Sequence, residues 1–337
     1  MVTLADVARM SGTSRSTASR ALKDDPRISA KTSERVQLVA KALGYRPNLA
    51  ARTLATGRSG IYGLIVPSRL MGDVYGAQLV SAVTDAVSAH DGGVMLWLSH
   101  DRPSRAIRDT INHGIVDGLI VSILVQDHPW VVELLDSGLP CVLIGRPGGL
   151  EEASYATADN IASSWALMRH LREEGYRRLA AIRGPLGNTD ADERHSVFVE
   201  AMGGVGELDA NLVAVGDFTY ESGYAAATAL LRHRPDGIVA GNDEMARGAM
   251  DAVRTAGLRI PEDVGVCGWD AVRRPNHGDM ELTTVRQDVP AVGREAVSIL
   301  LDLLKGEQGP IRRTLPTQLV VGRSTVRGTR SGEEMPT

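Results

Sequence analysis

The sequence predicts an N-terminal all-α helix-turn-helix head with a hinge helix, followed by an α/β core of two Rossmann-like subdomains. Three observations carry this prediction. The first sixty residues are basic and contain three short helical patterns, whereas the rest of the chain is acidic. From Tyr62 onward, apolar runs typical of buried parallel strands alternate with helical stretches. The alternation occurs in two successive series, which indicates two similar halves.

Composition sets the limits of the fold. The chain has 337 residues, of which 43% are hydrophobic and 4% aromatic, so two or three compact units with aliphatic cores are expected. No apolar run approaches the ~20 residues that cross a membrane, and the N-terminal residues lack the apolar region of a signal peptide. Cys141 and Cys267 lie in separate apolar segments, which favours buried thiols in a reducing cytoplasm over a disulfide.

Charge is distributed unevenly along the chain. Residues 1–60 contain eleven Lys and Arg and four acidic residues, a net charge of +7, which leaves −11 for the remainder. A small basic head on an acidic body favours a polyanionic partner for the head. A merely solvated surface would have the same charge. The sequence pattern inside the head must therefore distinguish a surface that binds a polyanion from one that is only solvated.

Three helices are predicted in the head from their caps and apolar spacing. Thr3 caps the first helix and Gly12 ends it, Ser14 caps the second, and the third runs from Ser29 to Gly44. A glycine turn between the first two helices is typical of a helix-turn-helix unit. The inward-facing residues are Leu4, Val7 and Ala8, then Ala18, Ala21 and Leu22, then Val36, Val39, Ala40 and Leu43.

The second helix begins with "SRSTASR", a stretch of small polar residues between two arginines. The second helix of such a unit lies in the DNA major groove, where its N-terminal side chains meet the base edges. Arg15, Ser16 and Arg20 are placed to contact bases, since Arg can grip guanine bidentately and Ser can pair with several edges. Thr17 and Ser19 suit phosphate contacts or capping. A solvated helix face is the alternative, and the surrounding helical pattern favours DNA recognition.

A further short helix is predicted after the head. In "RPNLAARTLATGRS", Asn48 can cap a helix and Gly57 can end it. Isolated helices of about two turns are marginal in water, so this segment is expected to order when it binds DNA.

Polar residues follow several predicted strands of the core. Ligands of open α/β sheets bind beyond the carboxyl ends of the strands, which singles out Arg146, Asn242, Asp243 and Asp270. Asn242 could instead cap the helix that starts at Asp243, and Asp270 could cap a turn.

Sequence signatures of enzymes and metal sites are missing from the chain. The glycine-rich segments "GRPGG" and "GEQG" do not end in the Gly-Lys-Ser/Thr of a phosphate loop. No HExxH, paired Cys-x-x-Cys or Gly-x-Ser-x-Gly occurs, and the histidines are scattered. We therefore expect no catalytic residues, no metal and no cofactor.

Several motifs together resemble one family. The opening "VTLADVARMSGTSRSTASRAL" and the later "GLIVPS", "GPLGN", "GDFTYESG", "GNDEMARGAM", "VGVCGWD" and "TTVRQD" resemble the lactose repressor (LacI/GalR) family of bacterial transcription regulators. The likeness covers the chain to about residue 327, and the core also resembles periplasmic sugar-binding proteins.

The resemblance implies where the family's functional residues lie. The hinge helix would pair with its twin and enter the minor groove, which places Asn48, Leu54 and Ala55 at the DNA, with Leu54 as a wedge between base pairs or as packing within the hinge pair. Arg194 matches the family's pocket arginine, with a surface ion pair to Asp190 or Asp192 as the alternative. Phe218 matches an aromatic that packs on the effector, with a core position as the alternative. The other matched effector residues are Tyr75, Asn242, Asp270 and Gln287. Arg146, which the strand-end rule selected, is expected to contact the effector as well.

The expected domains follow from the same resemblance. They are a DNA-binding domain over 1–46, a hinge over 47–60, an effector-binding and dimerisation core over 61–330, and a tail over 331–337. The core's N-subdomain would comprise 61–158 and 290–318, and its C-subdomain 162–288 and 319–328.

Together these features predict a cytoplasmic, homodimeric repressor that has no membrane partner and joins the nucleoid when bound to a palindromic operator. A sugar or related polyol would act as the effector that controls DNA affinity. The alternative is a sugar-binding or enzyme-like α/β protein without a regulatory role.

Overall fold

The computed structural model describes residues 2–45, 57–72, 74–99, 105–122, 129–203, 208–271 and 281–327. The chain divides into two compact units, Met1–Gly60 and Ile61–Thr337. The predicted fold class is confirmed, since helices alone form the described part of the first unit and parallel sheets form the second.

The first unit contains three helices around a small core. Thr3 and Asp6 form a capping box at the first helix, and Gly12 ends it with a left-handed φ of 63° that glycine adopts without strain. The side chains of Ser14 and Ser29 cap the next two helices. The helices are α1 (Leu4–Ser11), α2 (Arg15–Ala21) and α3 (Ala30–Ala42), and their buried residues are Val7, Ala8, Ala18, Ala21, Val36 and Ala40.

The second unit alternates strands and helices. Its strands are β1 (Ile61–Pro67), β2 (Gly93–Ser99), β3 (Gly118–Ser122), β4 (Cys141–Ile144), β5 (Ser154–Ala158), β6 (Leu179–Arg183), β7 (Val213–Val215), β8 (Gly237–Ala240), β9 (Gly265–Cys267), β10 (Thr284–Arg286), β11 (Arg312–Leu315) and β12 (Gln318–Val320). Its helices are α4 (Val74–Ser88), α5 (Arg105–Asn112), α6 (Pro129–Asp136), α7 (Asn160–Glu173), α8 (Thr189–Ala201), α9 (Tyr220–Leu230), α10 (Asp243–Thr255) and α11 (Val289–Lys305).

The first lobe is built on a six-stranded sheet in the order β11–β5–β4–β3–β1–β2. All of its strand pairs are parallel, and β3 and β4 are buried along their whole length. Residues of α4 and α11 cover one face, and residues of α5 and α6 cover the other. Burial of both faces explains why these strands are continuous apolar runs in the sequence.

The second lobe repeats this arrangement on a smaller scale. Its parallel sheet has the order β7–β6–β8–β9, with α9 and α10 packed on one face and α7 and α8 on the other. An antiparallel pair of β10 and β12 continues the lobe, and Thr283 bridges to Cys267 of β9.

The chain crosses between the lobes three times. The first crossing leads from Ala158 to Asn160, the second from Arg286 to Val289, and the third from Leu315 to Gln318. Because β11 pairs with β5 and β12 pairs with β10, the last strands of the chain return to both lobes.

Candidate functional site

Helix α2 presents the polar side chains that the sequence singled out. Arg15, Ser16 and Arg20 are exposed, Thr17 and Ser19 are half-buried, and the alanines of the helix face the core. Neither arginine makes an ion pair within residues 2–45. Unpaired guanidinium groups on an exposed helix are available to phosphates and guanine edges.

Hydroxyl groups cluster at the start of α2. The Oγ of Ser14 accepts the backbone N–H of Thr17 at 3.0 Å and lies 2.9 Å from the Oγ of Ser16. It also lies 2.8 Å from the Oγ1 of Thr17. Because backbone N–H groups at a helix N-terminus favour anions, this cluster is placed to meet a phosphate. The other predicted DNA contacts, Asn48, Leu54 and Ala55, lie outside the described residues.

A cleft lies between the two lobes of the second unit. Polar and apolar side chains from both lobes line it, as is usual for sites that bind small molecules. Most of the residues that line it stand at or shortly after the carboxyl end of a strand, as expected for α/β sheets, whereas Tyr75, Asp190 and Arg194 lie on helices. The lining residues are Leu70, Tyr75, Ser122, Ile144, Asn188, Asp190, Arg194, Phe218, Asn242, Asp270 and Gln287.

The structure brings most of the predicted effector residues to this cleft. Tyr75, at the start of α4, enters from the first lobe, and Arg194, Phe218, Asn242, Asp270 and Gln287 enter from the second. Arg146 is not among the lining residues. Its Nε instead forms an ion pair with the Oε1 of Glu193 at 2.9 Å. The positive charge of Arg146 is therefore paired with a carboxylate beside the cleft.

Arg194 is held in place by three neighbours. Its Nε donates to the Oδ1 of Asn160 at 2.9 Å, and its Nη1 donates to the carbonyl of Gly241 at 2.9 Å. Its guanidinium lies 4.3 Å from the ring centroid of the buried Trp269, a cation–π contact. The alternative of a surface ion pair with Asp190 or Asp192 does not occur, since Asp192 pairs with Arg183. The remaining donors of Arg194 can serve a ligand.

Asn242 both caps a helix and lines the cleft. Its Oδ1 accepts the backbone N–H of Met245 at 2.9 Å, which caps α10. Its Nδ2 donates to the carbonyl of Phe218 at 3.0 Å, which ties the aromatic segment after β7 to the start of α10. The capping role proposed as an alternative is therefore present, together with a place in the cleft wall.

Phe218 and Asp270 occupy unusual backbone positions. Their φ angles are 72° and 112°, a region that side-chain-bearing residues rarely adopt. Phe218 packs partly on the core of the second lobe, as the alternative held, and it also lines the cleft. The Nε2 of Gln287 donates to the Oδ1 of Asp270, which links β10 to the end of β9.

Five of the lining residues were not predicted from the sequence to lie in the cleft. Ser122 and Ile144 end β3 and β4, so the rule that ligands lie beyond strand ends could have found them. Asn188 caps α8, and Asp190 follows in its first turn, a position that reads as ordinary capping chemistry. Leu70 belongs to the short helical turn Ser68–Gly72, which carries no polar signal.

Burial alters the acidity of groups around the cleft. Burial raises the pKa of Glu193 above its ordinary value, although Asn160 and Arg146 favour the carboxylate. Burial also lowers the pKa of His195, with a smaller contribution from the charge of Arg183. Both shifts follow mainly from the partial burial of these two side chains.

The described residues hold no arrangement for metal or thiol chemistry. No group of three or more His, Cys, Asp and Glu within them could hold a metal ion. Both cysteines are buried free thiols, and burial raises the pKa of Cys141 to about 12 and raises that of Cys267 further. Neither sulfur is therefore a thiolate near neutral pH. None of the described helices is long and apolar enough to cross a membrane.

The cleft combines groups suited to a polyhydroxylated ligand. Asp190 and Asp270 accept hydrogen bonds, Arg194 donates them, and Asn242 and Gln287 can do either. Phe218 supplies a flat apolar surface, on which the less polar face of a sugar ring can pack. Apolar residues alternate with these groups, as in sites that orient a ligand through a few placed polar contacts.

Comparison with known proteins finds relatives for both units. Residues 3–48 match the profile of bacterial regulatory proteins of the lacI family, and residues 168–325 match that of periplasmic binding protein-like domains. The HTH-type transcriptional regulator CelR of Thermobifida fusca is 36% identical over 336 residues, which cover 96% of this chain and 98% of that protein.

Solved structures give the same result. A complex of the transcriptional regulator CelR with cellobiose has a TM-score of 0.73 at 33% identity, covering 96% of this chain and 100% of that chain. A lac repressor dimer bound to operator and the anti-inducer ONPF has a TM-score of 0.85 at 25% identity, covering 97% of this chain and 99% of that chain.

Both kinds of relative are regulators of transcription and not enzymes. Such regulators act on the genome, so the protein is cytoplasmic. The similarity runs through the head and the core alike, at 36% identity over nearly the whole length. The chain therefore belongs to the lacI family of bacterial regulatory proteins and is a DNA-binding regulator of transcription.

Proposed function

We propose that the protein is a dimeric repressor whose affinity for a palindromic operator is controlled by a sugar bound between the two lobes. The observation that carries this proposal is the cleft itself, where Arg194 of α8 meets Phe218, Asn242 and Asp270, which follow the ends of three strands. The cellobiose complex of CelR, a relative with the same fold, supports an oligosaccharide or simple sugar as the ligand class.

The DNA side of the proposal rests on α2. Arg15, Ser16 and Arg20 read the half-site in the major groove, while Thr17 and Ser19 contact phosphates. Leu54, with Asn48 and Ala55 beside it, acts at the operator centre in the minor groove. Two heads are needed because one head of this size makes too few base contacts for a specific site.

The proposal retains the domain division into 1–46, 47–60 and 61–330 with its two subdomains. Sugar binding changes the relative position of the lobes and thereby the hinge. Coupling between two such sites is typically ~1–3 kcal/mol. In the cell, the protein joins the nucleoid when it is bound to its operator.

The first experiment tests the ligand. The full chain is screened by thermal shift against cellobiose, lactose, glucose, galactose, ribose and a nucleoside. We expect one or more sugars to raise the melting temperature. A flat response to every sugar, with a shift for the nucleoside, would replace the sugar with another effector class.

The second experiment tests the link to DNA. An operator is selected from random duplexes, and its affinity is titrated with and without the sugar that gave the largest shift. Loss of affinity identifies an inducer and gain identifies a co-repressor, whereas no change would contradict the regulatory role.

Arg20→Ala should weaken operator binding by roughly 1–3 kcal/mol and relax one base preference. Leu54→Ala should reduce the bend of the operator and leave binding to random duplex unchanged.

A further inference from the structure

Asn160 occupies a distinctive place in the second unit. It is the first residue of α7, directly after the first crossing between the lobes, and its exposed fraction is 1%. A buried amide must satisfy both its donors and its acceptor within the protein, because an unsatisfied polar group is costly. The partners of Asn160 therefore show what it is there to hold.

Those partners are charged residues of α8. The Oδ1 of Asn160 accepts from the Nε of Arg194 at 2.9 Å, and its Nδ2 donates to the Oδ1 of Asp190 at 2.9 Å. The same Nδ2 lies 3.0 Å from the Oε2 of Glu193. One neutral amide thus contacts a guanidinium on one side and two carboxylates on the other.

The first lobe joins this cluster through two more contacts. The Oγ1 of Thr157, in β5, lies 3.3 Å from the Oδ1 of Asp190. Arg146, after β4, pairs with Glu193 at 2.9 Å. Around the amide there are two arginines and two carboxylates, so the cluster is balanced in charge and draws on both lobes.

We propose that Asn160 is a positioning residue of the cleft, whose amide holds Arg194 and Asp190 in the orientation that receives the effector and anchors them to the crossing between the lobes. The proposal rests on the proposed function of the cleft. Arg194 and Asp190 both line that cleft, whereas Asn160 does not. Asn160 acts through them and touches no ligand.

An amide is the side chain that this position requires. A carboxylate in its place would still accept from Arg194, but its second oxygen would face the oxygens of Asp190 and Glu193 at about hydrogen-bond distance. Like charges so close together favour protonation of one of them. Asn160→Asp therefore changes one atom of the cluster and almost no volume.

The experiment compares Asn160→Asp with a matched control, Asn211→Asp. Asn211 is exposed, and its Nδ2 also donates to a neighbouring carboxylate, the Oδ1 of Asp209 at 3.0 Å, far from the cleft. Affinity is measured by titration calorimetry at pH 8 and pH 5.5, with the sugar that gave the largest thermal shift as the probe. Wild type is measured at both pH values.

We expect Asn160→Asp to lose at least tenfold in sugar affinity at pH 8 while Asn211→Asp stays within twofold of wild type. The ratio of wild-type to variant affinity should be at least threefold smaller at pH 5.5 than at pH 8. At the lower pH, a proton shared among residues 160, 190 and 193 restores the missing donor. Wild-type affinity at pH 8, or a loss that does not change with pH, would overturn the proposal and leave Asn160 as a packing residue.

Melting temperatures without sugar provide a readout that needs no effector. Asn160→Asp should melt below wild type at pH 8 and approach it at pH 5.5, with Arg146, Arg194, Asp190 and Glu193 as the charged groups that face the site. Failure of every sugar to bind would refute the proposed function alone. Equal melting of variant and wild type at both pH values would refute the contact itself.

Discussion

Two side chains of the cleft are carried on backbone that glycine would adopt more easily. Phe218 has a φ of 72° and Asp270 has a φ of 112°. Residues held in such regions cost of order 1–3 kcal/mol and persist where the surrounding structure determines them. Here the backbone N–H of Asp270 donates to the carbonyl of Val285 at 2.8 Å, and its side chain accepts from Gln287. Part of the backbone cost in this protein therefore falls on two residues that line the cleft.

Asp270→Asn should weaken sugar binding more than tenfold and leave operator binding unchanged. The substitution removes the charge that strengthens hydrogen bonds to sugar hydroxyls, a contribution of ~1.5–3 kcal/mol, and asparagine tolerates a positive φ. Sugar titration on the full chain measures the effect. Asp302→Asn, at an exposed ion pair with Lys305, is the control and should bind as wild type does. Equal affinities in the two variants would exclude Asp270 from the site.

His170 links α7 to the end of the chain and makes stability depend on pH. Its Nε2 lies 2.7 Å from the Oγ1 of Thr325, and burial lowers its pKa despite the nearby carboxylates of Glu174 and Glu173. The contribution of neutral His170 to the free energy of unfolding is therefore fully present above the ordinary histidine pKa of ~6.5. This contribution is lost as the pH falls below that value, since the unfolded chain takes up the proton first.

His170→Gln should reduce the fall in melting temperature of the second unit between pH 8 and pH 5.5. Glutamine keeps a hydrogen-bonding group for Thr325 and cannot be protonated, while His195 continues to contribute through its own lowered pKa. Differential scanning calorimetry at the two pH values measures the change. A variant with the wild-type pH dependence would show that folding does not lower the pKa of His170.

Cleft residues could be found in the sequence where they follow recognisable strands, as Asn242 follows "GIVA" and Asp270 follows "GVC". The same rule selected Arg146, and it could not distinguish a residue aimed into the cleft from one held beside it by Glu193. Glu193 lies on α8, 47 residues further along the chain (193 − 146 = 47), so the ion pair results from the packing of the lobes. The role of Asn160 was hidden for the same reason, since its partners belong to a different helix.

At the scale of elements, α9 and α10 are in unusually close contact. A Cβ added at Gly223 would lie 2.2 Å from the carbonyl oxygen of Met245, and one added at Gly248 would lie 2.1 Å from that of Tyr220. Both neighbours are backbone atoms, so relief requires the helices to separate. The Oη of Tyr220 also donates to Asp251 at 2.6 Å across the same pair.

Gly248→Ala should destabilise the second unit by about 1–3 kcal/mol, the usual cost of overpacking, even though alanine favours helices. Urea unfolding measures the difference. Ala225→Ser, on the exposed face of α9, is the control and should change stability little. Stabilisation by Gly248→Ala would mean that the helices can move apart without loss of packing.

Strands were easier to identify in the sequence when both faces were apolar. The runs "LIV" of β1 and "VLI" of β4 are fully buried and stand out from their surroundings. In contrast, β5 is "SYATA", whose buried Ala156 and Thr157 lack the bulk that marks a strand, and β10 is three residues long. Both depend on neighbours that lie far along the chain, namely β11 for β5 and β12 for β10.

At the scale of the whole molecule, each of the two compact units has its own hydrophobic core. The head has its own buried cluster, and the second unit has clusters on both faces of both sheets. A fragment can therefore isolate the sensing part from the DNA-reading part.

A fragment of residues 61–337 should form a dimer, because the second unit is proposed to join the two chains. Light scattering at micromolar concentration should give twice the chain mass, and the isolated head should remain a monomer. Two-fold symmetry then places two copies of α2 on a palindromic site. A monomeric fragment would move the dimer contact to the head and hinge.

The return of the last strands to both lobes sets an order of events during translation. Within the described part of the chain, the core of the head is formed by side chains of residues 2–45, so α1–α3 can fold soon after they leave the ribosome. The second lobe waits for Ser324 and Thr325, which bond to Val266, Thr283 and Tyr176. A premature stop codon shortly before residue 324 therefore yields a polypeptide with an intact reading head and an unfinished sensor. Such truncations are expected to lose the response to sugar before they lose the fold that reads DNA.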